Sequence, residues 1–174
     1  IAHWGLGLDG SGPVTIEGTG RANNDGIYNV PVVYDFTCKY ANGLEMRVVD
    51  ELHTKNKHGR GTLWKGTDGW IHVSRGGIKA SDDAILKEKI GRDEVKLYKS
   101  TNHWRNFADC VKSREKTITP VEAGHSSIAV GLLGEIAIIT GQKLNWNPET
   151  EQFTNNNTYA TRLLKRPYRA PWSL

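Results

Sequence analysis

The sequence contains 174 residues, of which 37% are hydrophobic and 24% are charged, and its formal net charge is +4. This length suits one domain with a hydrophobic core, and the composition is typical of a globular protein. The 23 basic residues are interspersed with 19 acidic ones, which argues against a nucleic-acid-binding stripe.

The first seven residues, IAHWGLG, are typical of the last turns of a helix that ends at a glycine. They contain neither an initiator methionine nor the basic and apolar regions of a signal peptide. We therefore expect the chain to be a fragment of a longer protein.

After Pro13, apolar and polar residues begin to alternate with a period of two. Val14, Ile16 and Gly18 alternate with polar residues, which predicts a strand with one buried face. Residues 21–29 (RANNDGIYN) are rich in Asn, Asp and Gly and predict a loop.

Residues 31–51 predict a hairpin whose register depends on the length of its turn. A two-residue turn at Asn42-Gly43 would mix polar and apolar residues on both faces. A three-residue turn that begins at Ala41 instead gives one wholly apolar face, and we adopt it. That face consists of Tyr34, Phe36, Cys38, Tyr40, Leu44, Met46 and Val48.

The other face of this hairpin is mixed, and it includes Val49. Lys39 lies opposite Glu45, and Thr37 lies opposite Arg47, so that cross-strand pairs contribute about 0.2 to 1 kcal/mol each. Farther along the chain, residues 61–66 and 69–74 predict a second hairpin around an Asp-Gly turn, and residues 75–78 lead into a further strand.

Residues 100–114 predict a helix that is capped by Ser100 or Thr101. Charged residues occupy one side of this helix. The spacing i, i+3, i+4 and i+7 predicts a buried apolar stripe made of Trp104, Phe107, Ala108 and Val111.

A second helix is predicted to begin after Thr119, because a proline at the first helical position and Glu122 complete a capping box. Gly141 supplies the stop signal. Between these ends apolar residues cover most of the circumference, so we expect this helix to be covered on more than one side.

Three glycines inside this helix, Gly124, Gly131 and Gly134, each weaken it by roughly 1 kcal/mol relative to Ala. We expect a neighbouring backbone to approach closely at these positions. A membrane span is the alternative, but Glu135 and the glycines interrupt the apolar run, which falls short of about 20 residues. We reject the membrane span.

The last segment predicts a short strand at residues 143–146, a short helix at 157–164 and an extended tail with two prolines. Strands thus precede most of the helices, an order typical of α+β domains. We predict one α+β domain over residues 1–174, with a large, mostly antiparallel open sheet and helices packed on one face.

The sequence contains no dinucleotide-binding, Walker, zincin or nucleophile-elbow motif. Cys38 and Cys110 lack the spacing of zinc ligands and are predicted to be buried free thiols. His3 and His103 stand alone without acidic neighbours at ligand spacing, so we predict no metal site.

Four residues are candidates for substrate binding because strand and helix periodicity does not assign them to the core: Tyr28, Asn29, His125 and Arg169. His125 lies near the start of the long helix, where a helix N-terminus can help to hold an anion. For each residue taken singly, an ordinary surface or structural role is the more frequent one.

Six tryptophans are many for a chain of this length, and sugar-binding surfaces use tryptophan rings against the apolar face of pyranoses. Trp64, Trp70 and Trp104 lie where periodicity already predicts core, whereas Trp4 and Trp172 do not. A stand-alone carbohydrate-binding or scaffold domain is therefore the alternative function.

Six segments together resemble the C-terminal domain of the Gfo/Idh/MocA oxidoreductases, the relatives of glucose-fructose oxidoreductase and inositol dehydrogenase. They are HWGLGLDGSGPV, KYANGLEM, WKGTDGWIHVSRGGI, NHWRNFADCVKSR, TPVEAGHSSIAVGLLGEIA and RPYRAPW. The resemblance runs from Ile1 to Leu174.

The resemblance implies a Rossmann domain outside this chain that binds NAD or NADP, and hydride transfer between a sugar or polyol carbon and the nicotinamide. It also implies that this chain shapes the substrate pocket and forms homo-oligomers through its open sheet. Such enzymes take a catalytic lysine from a Glu-Lys-Pro motif and further polar groups from an Asp-x-x-x-His helix. Neither the Glu-Lys-Pro motif nor such a helix is found in this sequence. We therefore expect no catalytic residue here, no cofactor bound by this chain alone, and no nucleic-acid or membrane partner.

Overall fold

The computed structural model of the chain describes residues 1–22, 26–28, 30–50 and 58–173. The chain divides into two compact units, which we call the first and the second unit. The first unit comprises Ile1–Gly7 and Asn56–Gly124, and the second comprises Leu8–Lys55 and His125–Leu174. The single domain over residues 1–174 stays a prediction.

The described residues contain eight strands and five helices. The strands are β1 (Thr15–Ala22), β2 (Pro31–Lys39), β3 (Glu45–Val49), β4 (Thr62–Lys65), β5 (Trp70–Ser74), β6 (Gly77–Ala80), β7 (Leu144–Asn147) and β8 (Gln152–Phe153). The helices are α1 (Ala2–Gly5), α2 (Asp83–Lys87), α3 (His103–Ser113), α4 (Val121–Thr140) and α5 (Thr158–Leu163).

The second unit is built on a five-stranded antiparallel sheet with the order β3-β2-β1-β7-β8. Its central strand β1 pairs with β2 on one side and with β7 on the other. The remaining strands, β4, β5 and β6, form a separate three-stranded sheet in the first unit. The α+β fold with open sheets is confirmed, and its strands are divided between two sheets.

The predicted register of the first hairpin is confirmed. Phe36 lies opposite Val48, and the same pairing continues at every later position up to Lys39 and Glu45. The three-residue turn is closed by the backbone N–H of Tyr40, which donates to the carbonyl of Leu44 at 2.9 Å. Gly43 has φ +85° in this turn, a conformation that side chains with a Cβ rarely adopt.

The core of the second unit lies on one side of its sheet. The described apolar side chains there include four that are 5% exposed or less: Ile16, Phe36, Cys38 and Leu144. Helix α4 packs on this side, and the ring of Phe36 lies so close to Gly134 that a Cβ there would meet it at 2.5 Å. The close approach predicted at Gly134 thus exists, although a side chain rather than a backbone makes it.

Helix α4 ends as predicted at Gly141, which has φ +62°. The prediction that α4 is covered on more than one side, however, is wrong for the described residues. Val130, Leu133 and Ala137 are buried, whereas the opposite side of the helix is exposed.

By length and composition alone, α4 is the one helix of the described residues that could cross a membrane. Its sheet-facing side is nevertheless occupied by protein, since Ile138 lies against Gly20 of β1 and Gly134 lies against Phe36 of β2. This packing favours the interpretation of α4 as a helix that covers one side of the sheet of the second unit.

In the first unit, β4 and β5 form the predicted second hairpin, and β6 continues the sheet. Helix α1 contributes Gly5, where a Cβ would lie 2.6 Å from the indole of Trp64. The same short helix carries His3, which is 4% exposed. Residues 1–7 therefore belong to the packing of the first unit.

Helix α3 differs from its prediction in both its cap and its orientation. Asn102, rather than Ser100 or Thr101, caps it, since the Asn102 side chain accepts from the N–H of Arg105 at 3.0 Å. The stripe predicted to be buried is exposed, by 75% at Trp104, 62% at Phe107 and 48% at Val111.

The opposite side of α3 is held by polar contacts. The Asn106 amide donates to the Tyr98 hydroxyl at 2.8 Å, and its carbonyl oxygen accepts from the N–H of Ile118 at 3.0 Å. Cys110, one turn farther along, is 8% exposed. Both cysteines are buried free thiols, as predicted.

Replacing Gly134 with Ala is expected to lower the free energy of unfolding by about 1 to 3 kcal/mol, because the buried Phe36 ring occupies the space that a Cβ needs. Gly131→Ala is the matched control, since nothing lies within 4 Å of a Cβ there. We expect this control to stabilise the helix by up to about 1 kcal/mol. Urea unfolding at low micromolar concentration measures both variants, and equal effects would contradict the packing described.

Alkaline pH is expected to destabilise the second unit. Burial raises the pKa of Cys38 from 9.0 to about 12, and burial followed by the charge of Cys38 raises the pKa of Tyr40. Both groups keep their protons more strongly when folded, so their contribution is present below about pH 9 and is lost as the pH rises toward 12. Cys38 alone accounts for about 1 kcal/mol between about pH 8 and pH 10.

Urea midpoints across this pH range test the effect, and the Cys38→Ala variant provides the comparison. The variant should be less stable at every pH but should lose less stability on going from pH 8 to pH 10. An unchanged pH dependence in Cys38→Ala would show that another group is responsible.

Candidate functional site

The side of the five-stranded sheet that faces away from α4 carries charged side chains. Since side chains alternate along a strand, this open face takes the positions between the core residues of β1, β2 and β3. We define the open face by Glu17, Asp35, Thr37, Lys39, Glu45, Arg47 and Lys143.

Ion pairs cross the strands of the open face. The Arg47 guanidinium donates from Nε to Oδ1 of Asp35 at 2.8 Å, and the Lys39 ammonium lies 3.5 Å from the Glu45 carboxylate. The hydrogen bond and the charge of Asp35 raise the pKa of Arg47. Arg47 thus lies opposite Thr37 in the register, as predicted, but its side chain reaches the diagonal carboxylate.

A third pair joins Lys143, which precedes β7, to Glu17 of β1 at 3.6 Å. These pairs are exposed and screened by solvent, so they contribute little to stability. Their larger effect is on the charge of the face, because Lys39, Arg47 and Lys143 each lie beside a carboxylate. Such a face is compatible with water and equally with a partner that presents alternating charges.

Among the predicted substrate-binding residues, His125 has a side-chain partner. Its Nε2 contacts a carboxylate oxygen of Glu151, and both side chains are exposed. Glu151 lies in the turn between β7 and β8 with φ +52°. A carboxylate on one ring nitrogen fixes the orientation of an imidazole, which leaves the other nitrogen free to serve a hydroxyl group or a proton.

The sequence analysis missed Glu151 as the partner of His125. The two residues are 26 positions apart, and the pattern of neither segment indicates that the β7–β8 turn reaches the start of α4. The short β7–β8 pairing, with Trp146 opposite Phe153, is what positions the turn.

The other candidates are placed separately. Tyr28 is 75% exposed in the segment between β1 and β2, and Arg169 is exposed in the C-terminal tail. Asn29 lies outside the described residues. Where the chain is described, no hydrogen bond or ion pair joins Tyr28, His125 and Arg169 to one another, so their common site stays a prediction.

The spacing Asp68-x-x-x-His72 occurs once in this sequence, but the structure places it on a hairpin. Asp68 lies in the turn before β5, and His72 lies within the strand, 3% exposed. The ring of His72 stands 5.5 Å from that of His58. In the ranges that the structure describes, no group of three or more His, Cys, Asp and Glu side chains could hold a metal ion.

The tryptophans bear on the carbohydrate-binding alternative. Trp4 and Trp172 are exposed, as expected from their positions, and Trp104 is exposed against expectation. The surface depression beside α2 contains no aromatic ring, since it is lined by Ala84, Ile85, Lys87 and Glu88. None of the exposed tryptophan rings therefore lines this depression.

Comparison with known families gives a match over nearly the whole chain. Residues 2–174 match the family described as "Oxidoreductase family, C-terminal alpha/beta domain". Comparison with curated proteins and with solved structures returned no match.

Proposed function

The chain belongs to the Gfo/Idh/MocA oxidoreductases as their C-terminal α/β domain, and we propose that it is the substrate-binding and oligomerisation domain of an NAD(P)-dependent enzyme. The proposed substrate is a sugar or a polyol, and the proposed reaction is hydride transfer to or from the nicotinamide. The family match over residues 2–174 is the observation that carries this proposal.

A division of labour between domains supports the proposal. The sequence has no dinucleotide fingerprint, and neighbouring strands in both described sheets are antiparallel rather than the parallel strands of a Rossmann fold. We propose that NAD or NADP binds to a Rossmann domain outside this chain and that this chain supplies substrate contacts.

The proposed substrate contacts are Tyr28, Asn29, His125 and Arg169. The His125–Glu151 pair adds chemistry that suits a polyol, because an oriented imidazole can donate to or accept from a hydroxyl group. Tyr28 and Arg169 offer further donors, and both are exposed.

The alternative is a stand-alone carbohydrate-binding or scaffold domain, which the exposed rings of Trp4, Trp104 and Trp172 favour. The two functions differ in what loss of a polar candidate does. In an enzyme it lowers turnover, whereas a binding module turns over no substrate and loses affinity for the sugar instead.

The experiment uses the enzyme with its Rossmann domain. Replacing any true pocket residue among the four candidates with Ala should lower kcat/KM by about tenfold or more, which corresponds to about 1.4 kcal/mol. Trp172→Ala is the control. The alternative function predicts that this variant loses affinity for a sugar, whereas the proposed function does not require a change. Unchanged kinetics in all four polar variants would remove them from the pocket.

The affinity of the whole enzyme for NAD(H) and NADP(H) distinguishes a defect in the substrate site from a defect in the cofactor domain. This affinity should be unchanged in the four Ala variants. In a calorimetric titration, the 174-residue chain alone should bind neither cofactor. Sub-millimolar binding by this chain would contradict the proposed division of labour.

We further propose that the open face joins two copies of the chain. The ion pairs Arg47–Asp35 and Lys39–Glu45 place alternating charges along the face, and such a pattern can pair with itself across a twofold axis. An interface of this kind would bury on the order of 1,600 Å² in total.

Arg47→Glu is expected to weaken this self-association, because it places three carboxylates together on β2 and β3. Arg105→Glu is the matched control, since Arg105 is also exposed and ion-paired, with Asp109 on α3. Sedimentation at micromolar concentration measures both. A monomeric wild-type chain, or equal effects of the two variants, would contradict the proposed interface.

A further inference from the structure

The exposed side of helix α4 carries a regular stripe of six residues, which we call the seam. Consecutive members are separated by four, three, four, three and four positions, the spacing of a coiled-coil contact line. The seam consists of Val121, His125, Ile128, Leu132, Glu135 and Ile139.

The seam lies on the side of α4 opposite to the core. Ile128, Leu132 and Ile139 are 59%, 52% and 46% exposed, respectively. Val130 and Ala137, about half a turn away, are buried. Three large aliphatic side chains in one line on an exposed helix face indicate a binding surface.

The order of residues in the seam is self-complementary. If a second α4 lies antiparallel with its midpoint at Val130, Ile128 faces Leu132 of the second copy, and Leu132 faces Ile128. In the same alignment, His125 faces Glu135. At the ends, Val121 faces Ile139. Every contact therefore joins apolar to apolar or a basic group to an acidic one, and each occurs twice, as a twofold axis requires.

We propose that the seam binds the seam of a second copy of this chain as an antiparallel helix pair. Nε2 of His125 already contacts Glu151 of its own chain. In the helix pair, Nδ1 of His125 faces Glu135 of the second copy. The substrate contact proposed for His125 therefore belongs to the unpaired chain, and self-association through the seam would compete with it.

Two glycines beside the seam are a second, independent observation. Gly124 and Gly131 cost the helix roughly 1 kcal/mol each, yet nothing in the described chain lies within 4 Å of where their Cβ atoms would be. The close backbone approach expected at these glycines is not made by the described residues. A second helix on the seam would make it, because both glycines flank the same edge of the seam.

The composition of the seam favours a second copy over a lipid surface. His125 and Glu135 interrupt the apolar line at two symmetric places, which is costly against hydrocarbon and favourable where the two groups pair. A helix of 20 residues is about 30 Å long, so this contact alone falls below the roughly 1,200 Å² of stable complexes. We therefore expect a weak, reversible association, on the side of the sheet opposite to the open face.

The experiment uses two complementary variants, Ile128→Lys and Leu132→Glu, both in an Arg47→Glu background that suppresses association through the open face. Each variant alone should weaken self-association by about tenfold or more, because a charge then faces an aliphatic side chain twice. An equimolar mixture should recover association, because one Lys–Glu pair and one Ile–Leu pair then form across the twofold axis. Analytical ultracentrifugation measures all three samples.

Val111→Lys on α3 is the matched control, since Val111 is exposed to a similar extent, and it should leave association unchanged. Circular dichroism confirms folding, but recovery in the mixture is the deciding result, because a merely unfolded variant cannot be rescued by another. A monomeric Arg47→Glu chain at high micromolar concentration, or no recovery on mixing, would overturn the proposal. So would binding of the chain to phosphatidylglycerol vesicles that Leu132→Glu abolishes.

Discussion

The contact between Phe36 and Gly134 sets the distance between the sheet and helix α4 in the second unit. A glycine at this position lets the helix rest directly on the aromatic ring, which is 5% exposed. Glycine is unfavourable inside a helix, so the contact must offset that cost through the apolar area it buries. The buried residues of β1 and β7, Ile16 and Leu144, extend the same layer from β2 toward β8.

Local patterns predicted the elements well because the physical causes of those elements are local. The register of the β2–β3 hairpin follows from period-two alternation together with a turn glycine at φ +85°, and both signals lie within twenty residues. The end of α4 at Gly141 follows in the same way. The family resemblance, carried by motifs along the whole chain, agrees with the match over residues 2–174.

The errors arose where a distant contact decides the outcome. Periodicity identifies the apolar side of α3 but not which side the rest of the chain covers, and the hydrogen bonds of Asn106 to Tyr98 and Ile118 hold the opposite side inward. The pairing of His125 with Glu151 depends on where the β7–β8 turn lies, which neither segment encodes alone. For the same reason, the sequence alone could nominate Tyr28, His125 and Arg169 singly but could not place them relative to one another.

The pairing of β1 has a consequence for how the chain folds during synthesis. Its first partner, β2, follows within a few residues, but its second partner, β7, leaves the ribosome only after the first unit has been made, since Thr15 pairs with Asn145. Until then, one edge of β1 and the apolar side of the β1–β2–β3 meander lack both β7 and α4. Strand pairs so distant in sequence form slowly, and unpaired edges invite aggregation. The nascent chain therefore passes through a stage in which residues 56–124 have been synthesised while the sheet of the second unit still lacks β7 and β8.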